Sequence, residues 1–417
     1  MHAVILGAGL AGVANAYYLA KDGIKVTVVD RQPEAARETS FANAGMIAPG
    51  HSFTWNSPSA PVTLLKSVFG AKTALRLKFS TDPRFYAWSL RFLRNCTPAR
   101  AREKTLVKLA LNLYSQQQTK EVVKETGVAY DALANGILYL YRTPTALEAG
   151  VQHMQMMRDQ GLRIDVLDTQ ATVKLEPALA ASRHRVAGAI HCPDDESGDA
   201  CKFTQGLAAH CQRMGVEFRY NTTVREIAVD GDRVSGVVTD KGMVKGDAYV
   251  LSLGSYSPLV ARRLGLKLPV YPVKGYSLTL PIDGHNGAPS VPTVDEENLV
   301  AITRMGDRMR MTAIAEFSGY DNDHKPSDFD GMIAAARSLY PDACDFAKPE
   351  YWSCLRPMTP DGPPVLGRGR QKNMYFNTGH GHMGWTMACG TGRLTADLMQ
   401  GKKPAIDVGG MLVDRFN

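Results

Sequence analysis

An α/β fold organised on a parallel sheet is predicted by three stretches spread along the chain. At the start, a short apolar run (residues 3–6) breaks at Gly7-Ala8-Gly9-Leu10-Ala11-Gly12 and continues as an apolar helical pattern to Leu19. A second run, Lys25–Val29, closes on Asp30. Past the middle, residues 247–253 form another apolar run that enters Gly254. Near the end, Met374–Thr378 passes into Gly379-His380-Gly381-His382-Met383-Gly384-Trp385-Thr386 and a further helical pattern. Branched apolar runs of this length, feeding glycine-rich turns, mark strands covered on both faces.

The first turn carries chemistry. Gly7 permits a tight turn, Gly9 lets backbone approach a pyrophosphate, and Gly12 lets the helix pack close to the strand. Free N–H groups and the positive end of that helix suit phosphates. Asp30 ends the second strand where a carboxylate accepts ribose hydroxyls, which favours FAD or NAD over NADP. The 379–386 turn opens a helix in the same way, so the nucleotide domain is assembled from both ends of the chain.

The chain has 417 residues, 44% hydrophobic and 21% charged, enough for about two domains with ample cores. Its seven cysteines are odd in number and form no C-x-x-C, which argues against a disulfide framework or a zinc or iron–sulfur site. A reduced, cytoplasmic compartment is the simpler expectation. No run is long enough to span a bilayer, so membrane association is expected to be peripheral at most. The net charge of +7 is compatible with acidic substrates, an anionic membrane surface or nucleic acid. It comes with no RNA-binding signature, so no nucleic-acid partner is expected.

Between the ends, residues 61–104 are rich in cations and aromatics, among them Lys66, Phe69, Lys72, Phe79, Arg84, Phe85, Trp88, Arg91, Phe92 and Arg94. Two readings stand: a basic surface that lies on an anionic bilayer, or a helical part of a second domain with its aromatics in the core. Residues 106–125 read as a longer helix and 136–142 as a strand. The acidic loop 193–199 lacks the alternation of a calcium loop and reads as a turn and helix start. Residues 224–245 alternate as small antiparallel strands with Asp-Gly-Asp and Asp-Lys-Gly turns. Residues 269–280 form a tyrosine-bearing strand, or strand pair.

Seven matches in order, V-I-L-G-A-G, T-S-F-A-N-A-G-M-I, D-E-S-G-D, G-S-Y-S, Y-P-V-K-G-Y-S, L-R-P-M-T-P-D-G and N-T-G-H-G-H-M-G-W-T-M-A-C-G, run over essentially the whole chain. Through them the sequence resembles the D-amino acid oxidase-like flavoproteins, and within these their bacterial dehydrogenases. The resemblance implies a Rossmann-type FAD domain made of discontinuous segments and an inserted substrate domain dominated by an antiparallel sheet. The boundaries expected are 1–60, 165–255 and 345–417 for the first, with 61–164 and 256–344 for the second. It implies oxidation of a D-amino acid, D-alanine or another neutral one, to an imino acid that water hydrolyses to the 2-oxo acid and ammonia. Electrons are then expected to pass to a quinone-type acceptor. The alternative is a secondary-amine oxidase or dehydrogenase acting on sarcosine, D-proline or a hydroxyproline.

The resemblance also assigns residues. Gly7, Gly9, Gly12, Asp30 and Arg31 are expected at the nucleotide. Thr39, Ser40, Asn43, Ala44, Gly45 and Ile47 pass beside the isoalloxazine, with Gly254 nearby. Gly379, His380, Gly381, Gly384, Trp385 and Thr386 supply its pyrimidine edge. Hydride transfer to a flavin needs neither a nucleophile nor a metal, and no acid/base residue and no metal ligand is assigned. What it needs is a clamp for a carboxylate, and Arg356 is the candidate because a guanidinium fork meets a carboxylate bidentately. The alternative for Arg356 is to stiffen the Pro-rich turn. Tyr271 and Tyr276 are candidate hydrogen-bond partners of the substrate, with a lean to Tyr271, and Lys274 and His51 are secondary candidates. Cys354 stands where many such dehydrogenases have glycine. A cysteine at the corresponding place in sarcosine oxidases carries FAD as a thioether, so a covalent flavin is set here against a buried free cysteine.

Overall fold

The computed structural model describes residues 1–62, 75–78 and 80–416. Lys66, Phe69, Lys72 and Phe79 of the basic segment lie outside the described residues. Two sheets organise the rest. The first has six strands in the order Val365–Arg368, Met374–Thr378, Ala248–Leu251, His2–Leu6, Lys25–Val29, Glu217–Arg219. All neighbours are parallel except the outermost pair, Val365–Arg368 with Met374–Thr378.

Side chains alternate across this sheet, so each strand feeds two cores. Ala3, Ile5, Val26 and Val28 pack under helices Leu10–Lys21, Ala200–Arg213 and Gly384–Met399. Val4, Leu6 and Val29 face a three-stranded antiparallel sheet, Val224–Asp230, Arg233–Thr239 and Gly242–Val244. Approach is close where residues are small. A Cβ on Gly12 would lie 1.9 Å from the Gly7 carbonyl oxygen.

The second sheet has nine strands. Its path is Glu350–Met358, Tyr271–Pro281, Arg308–Phe317, Val300–Met305, Thr293–Asp295, Ile137–Tyr141, Gly188–Cys192, Asp165–Asp168, with Leu75–Leu77 beside Arg308–Phe317. It is antiparallel except where Thr293–Asp295 pairs Ile137–Tyr141 and Leu75–Leu77 pairs Arg308–Phe317. This pairing moves the expected boundaries. Asp165–Asp168, Gly188–Cys192 and Glu350–Met358, grouped from sequence with the nucleotide segments, are strands of the large sheet. Long-range partners decide that membership, and no local pattern encodes them.

Helices bridge the two sheets. Helix Pro98–Thr126, capped by Thr97 and stopped at Gly127 (φ 65°), packs on Gly384–Met399, where the Gly390 amide donates to Ser115 Oγ (2.9 Å). Helix Pro83–Asn95, capped by Asp82, sends Trp88 and Phe92 into a cluster with Tyr271, Val273 and Phe317. Leu90 (52% exposed) and Leu93 (44%) on the same helix are partly open. Asp199 caps Ala200–Arg213, the helix start read from the acidic loop.

Candidate active site

A cavity of about 1570 Å³ lies between the ends of the parallel strands and the face of the large sheet. Residues at or just past the ends of five parallel strands border it: Gly7, Asp30, Thr222, Ser252 and Thr378. This is where open parallel sheets bind ligands, because the following helices leave amides unpaired at that edge.

The nucleotide wall is built from short polar contacts. Gly9 is the N-cap of Leu10–Lys21, and a Cβ there would meet only Ser40 Oγ, at 3.5 Å. Asp30 accepts from the Ala8 amide (2.6 Å) and the Gln32 amide (2.8 Å), while burial raises its carboxyl above the usual range. Ser40 Oγ accepts from the Leu10 amide (3.0 Å). Arg31 borders the cavity with its charge already answered by Glu38, its guanidinium 4.1 Å over the Tyr256 ring. Gly12 sits behind this wall, where it makes the close helix packing already described, and does not border the cavity.

Residues 39–47 are tied to the large sheet and to two helices of the nucleotide side. Thr39 Oγ1 donates to the Leu355 carbonyl (2.9 Å) and Thr303 Oγ1 to that of Ala44 (2.9 Å). Asn43 Oδ1 accepts from the Gly45 amide (2.9 Å), and a Cβ on Gly45 would lie 2.1 Å from Met305 Cε. Ile47 is fully buried away from the cavity. Thr386 Oγ1 accepts from the Ala48 amide (3.1 Å), which joins this loop to the C-terminal turn.

In that turn, Gly379 (φ 76°) bends the chain behind the cavity wall, and His380, Gly381, Gly384 and Trp385 border it. His380 contacts Thr391 Oγ1 (3.0 Å) and burial lowers its imidazole to about 4, so it is neutral. Helix Gly384–Met399 starts here with no side-chain cap. Gly254 (φ 51°) borders the cavity with nothing within 4 Å of where a Cβ would stand.

The large sheet forms the floor. Registers align Ser277 with Thr312, Thr312 with Ala301, Ala301 with Val294, and Val294 with Tyr139, and all five border the cavity. Beside this row lies Arg356. Its guanidinium reaches over Gly275, where a Cβ would stand 2.4 Å from Cζ, and donates to the Ile314 carbonyl (2.8 Å). That carbonyl is presented by a bulge: Gly275 pairs Ala315 and Tyr276 pairs Ala313, leaving Ile314 unpaired at φ 62°. A left-handed φ is strained for a β-branched residue, and such strain gathers where a site is being shaped. Arg356 has no carboxylate partner among the described residues, and burial lowers its pKa.

The two tyrosines part company. Five apart on a regular strand, they face opposite sides. Tyr271 packs among Phe85, Trp88 and Phe317 and does not border the cavity, which corrects the lean toward it. Tyr276 borders the cavity, but its hydroxyl donates to Glu316 (2.8 Å). Lys274 is wholly buried, 3.2 Å from Glu316 and donating to the Asp323 carbonyl (2.8 Å), so it too leaves the candidate set. His51 borders the cavity, stacked 5.8 Å from Tyr139, and burial lowers it to about 4. Cys354 also borders it. Burial pushes its thiol up to about 11.

Several cavity residues escaped the sequence reading. Thr222 and Thr223 follow a parallel strand, the same rule that found Gly254. Ser277 shares the face of Gly275 by alternation. Nothing local points to Ile314.

Over residues 2–398 the chain matches the FAD dependent oxidoreductase family, DAO. The chain belongs to that family. It is 45% identical to D-amino acid dehydrogenase 2 of Mesorhizobium japonicum, with 99% of each chain covered. It is 44% identical to D-amino acid dehydrogenase of Bradyrhizobium diazoefficiens, with 100% of this chain and 99% of that protein covered. In fold it is similar to glycine oxidase from Geobacillus kaustophilus (TM-score 0.76, 23% identity, 99% and 97% covered) and to L-proline dehydrogenase from P. horikoshii (0.72, 18%, 97% and 94%). The residues of this oxidoreductase fit FAD. Gly9 leaves a cradle that a Cβ would fill, two helix starts open on one cavity, and buried Trp385 Nε1, His382 Nε2 and Ser277 Oγ have no partner among the described residues.

Proposed function

We propose that this FAD dependent oxidoreductase is a D-amino acid dehydrogenase: it oxidises a D-amino acid at its α-carbon and passes the electrons to a quinone-type acceptor. The observation that carries the reading is Arg356, a guanidinium on the cavity floor without a carboxylate of its own. The names of relatives aligned end to end support the same substrate. When bound, FAD supplies the two-electron acceptor for the hydride leaving the α-carbon. Arg356 holds the substrate carboxylate, and the Ile314 carbonyl fixes the guanidinium in place. Ser277 Oγ, unpartnered and on the same face, is placed to accept from the amine. The 39–47 loop and the C-terminal turn, locked by Thr39, Thr303 and Thr386, fix the opposite wall and keep water from the transfer. His51 and His380 are neutral and are given no proton to carry. Loss of the α-hydrogen as hydride and of the amine proton leaves an imino acid, which water converts to the 2-oxo acid and ammonia.

Anaerobic bleaching of the flavin tests this. D-Alanine is expected to bleach it and L-alanine is not. Bleaching by sarcosine or D-proline alone would move the protein to secondary amines.

The acceptor side rests on helix Pro83–Asn95. Phe85, Trp88, Phe92 and Leu93 border the cavity, while Tyr86 and Leu90 are about half exposed. Arg84 is paired with Asp82, but Arg91 and Arg94 have no ion-pair partner among the described residues. An apolar edge leading to the cavity, flanked by free cations, suits an anionic bilayer and a quinone dissolved in it. No helix among the described residues is long and apolar enough to cross a membrane. Charge reversal at Arg91 and Arg94 is expected to release the protein from anionic vesicles, and unchanged binding rules the surface out.

A further inference from the structure

Three carboxylates border the cavity, and two are occupied. Asp30 holds two backbone amides and Glu38 holds Arg31 and Gln32. The third, Glu296, is partly buried and makes no side-chain hydrogen bond or ion pair with any described residue. Its neighbour Asp295 shows the contrast, since it is fully buried but joined to Arg142 (2.6 Å) and Asn298 (2.8 Å). Only the Glu296 backbone is engaged, its amide donating to the Leu140 carbonyl (3.1 Å). A carboxylate that lines a cavity with no partner of its own keeps its hydrogen-bonding capacity for a group that arrives from outside.

Its place on the floor indicates the partner. The Arg356 guanidinium rests on the Ile314 carbonyl. Thr312 pairs Ala301 and Asp295 pairs Val300. Thr312, Ala301 and Val294 form one row across three strands, and Ile314 and Glu296 each lie two residues past that row on its outer strands, which run in the same direction. The guanidinium held at Ile314 and the Glu296 carboxylate therefore lie past the same end of the row, whose outer strands are two strand spacings, roughly 10 Å, apart. Leu299, in the turn that follows Glu296, also borders the cavity, as does Tyr141. A ligand with a carboxylate at one end, an apolar stem and a cation at the other fits this arrangement.

We infer that Glu296 recognises the side-chain cation of a basic D-amino acid, so that the substrates of this enzyme include D-lysine and D-arginine alongside neutral ones. The inference rests on the D-amino acid reading and names a substrate class for that same site. Burial and the charge of Asp295 push the empty Glu296 carboxyl up to about 7. An arriving ammonium or guanidinium favours its charged form and forms a charge-assisted hydrogen bond.

The test uses the holoenzyme with D-alanine, D-norleucine and D-lysine, and an artificial acceptor dye. D-Norleucine has the unbranched stem of lysine without the cation. The ratio of kcat/KM for D-lysine to that for D-norleucine is expected to fall roughly 10- to 100-fold in Glu296→Gln, the worth of a hydrogen bond to a charged group. Glu296→Asp, which keeps the charge, is expected to retain part of the ratio, and Glu296→Lys to favour D-glutamate over D-lysine. The visible flavin spectrum of each variant reports that it folded and loaded. Turnover of D-alanine with a ratio unmoved by Glu296→Gln overturns the role of Glu296 and leaves the D-amino acid reading standing. Turnover of none of the three by the unaltered enzyme overturns both.

Discussion

The two walls of the cavity use polar groups in different ways. On the nucleotide side the polar side chains of Asp30, Ser40 and the loop contacts are spent within the chain. Asp30 takes two amides, Ser40 a third, and Thr39, Thr303 and Thr386 stitch the 39–47 loop to the large sheet and to helix Gly384–Met399. On the floor the pattern reverses. Ser277 Oγ has no partner, Arg356 has one carbonyl, and Glu296 has none. A wall that must hold one cofactor in one pose gains from being pre-organised, whereas a floor that meets exchanging substrates keeps its hydrogen-bonding capacity for them.

If the floor is reserved for substrate, its residues should affect turnover while leaving the cofactor in place. Arg356→Gln is expected to have the largest effect, lowering kcat/KM for D-alanine by roughly 100- to 1000-fold, chiefly through KM, with flavin content unchanged. Loss of flavin instead would erase the division between the walls.

Gly275→Ala sharpens the point. The added Cβ would stand 2.4 Å from Arg356 Cζ and must displace the guanidinium from Ile314. A drop of roughly 10- to 100-fold in kcat/KM is expected. Because that loss acts through Arg356, the double variant with Arg356→Gln is expected to be little worse than Arg356→Gln alone.

The C-terminal turn gives a pH signature. Burial holds the His380 imidazole at about 4 in the folded protein, against an unfolded value near 6.5. Above that unfolded value neither state takes a proton and the residue adds no pH dependence. As pH falls from there toward 4 the unfolded chain is protonated first, so this contribution to stability is lost, about 2 kcal/mol by pH 5. Thermal unfolding of His380→Gln is therefore expected to lose less stability between pH 7 and pH 5 than the parent, and parallel curves would count against a neutral buried imidazole.

Gly12→Ala probes the nucleotide wall and is expected to touch substrate handling least, although its Cβ would begin 1.9 Å from the Gly7 backbone oxygen and the backbone shift costs about 3 kcal/mol. Flavin occupancy should fall while KM for D-alanine per bound flavin holds. A changed KM with full flavin would mean that the two walls are mechanically one.

The sequence by itself determined the nucleotide wall, because its requirements are local. A strand that turns at Gly7, a helix start at Gly9 and a glycine-rich turn at 379–386 each sit within a few residues of the backbone groups they serve, and Asp30 reaches the Ala8 amide within one strand–helix–strand unit. The floor was legible only at Arg356, through its motif. Which strands belong to the large sheet, the loss of Tyr271 to an aromatic cluster and of Lys274 to Glu316, and the bulge at Ile314 all depend on pairing between segments far apart in the chain. So does the placement of Arg356 and Glu296 past the same end of one row. Register is set when whole sheet faces bury together, a property of the assembled sheet that no single strand carries.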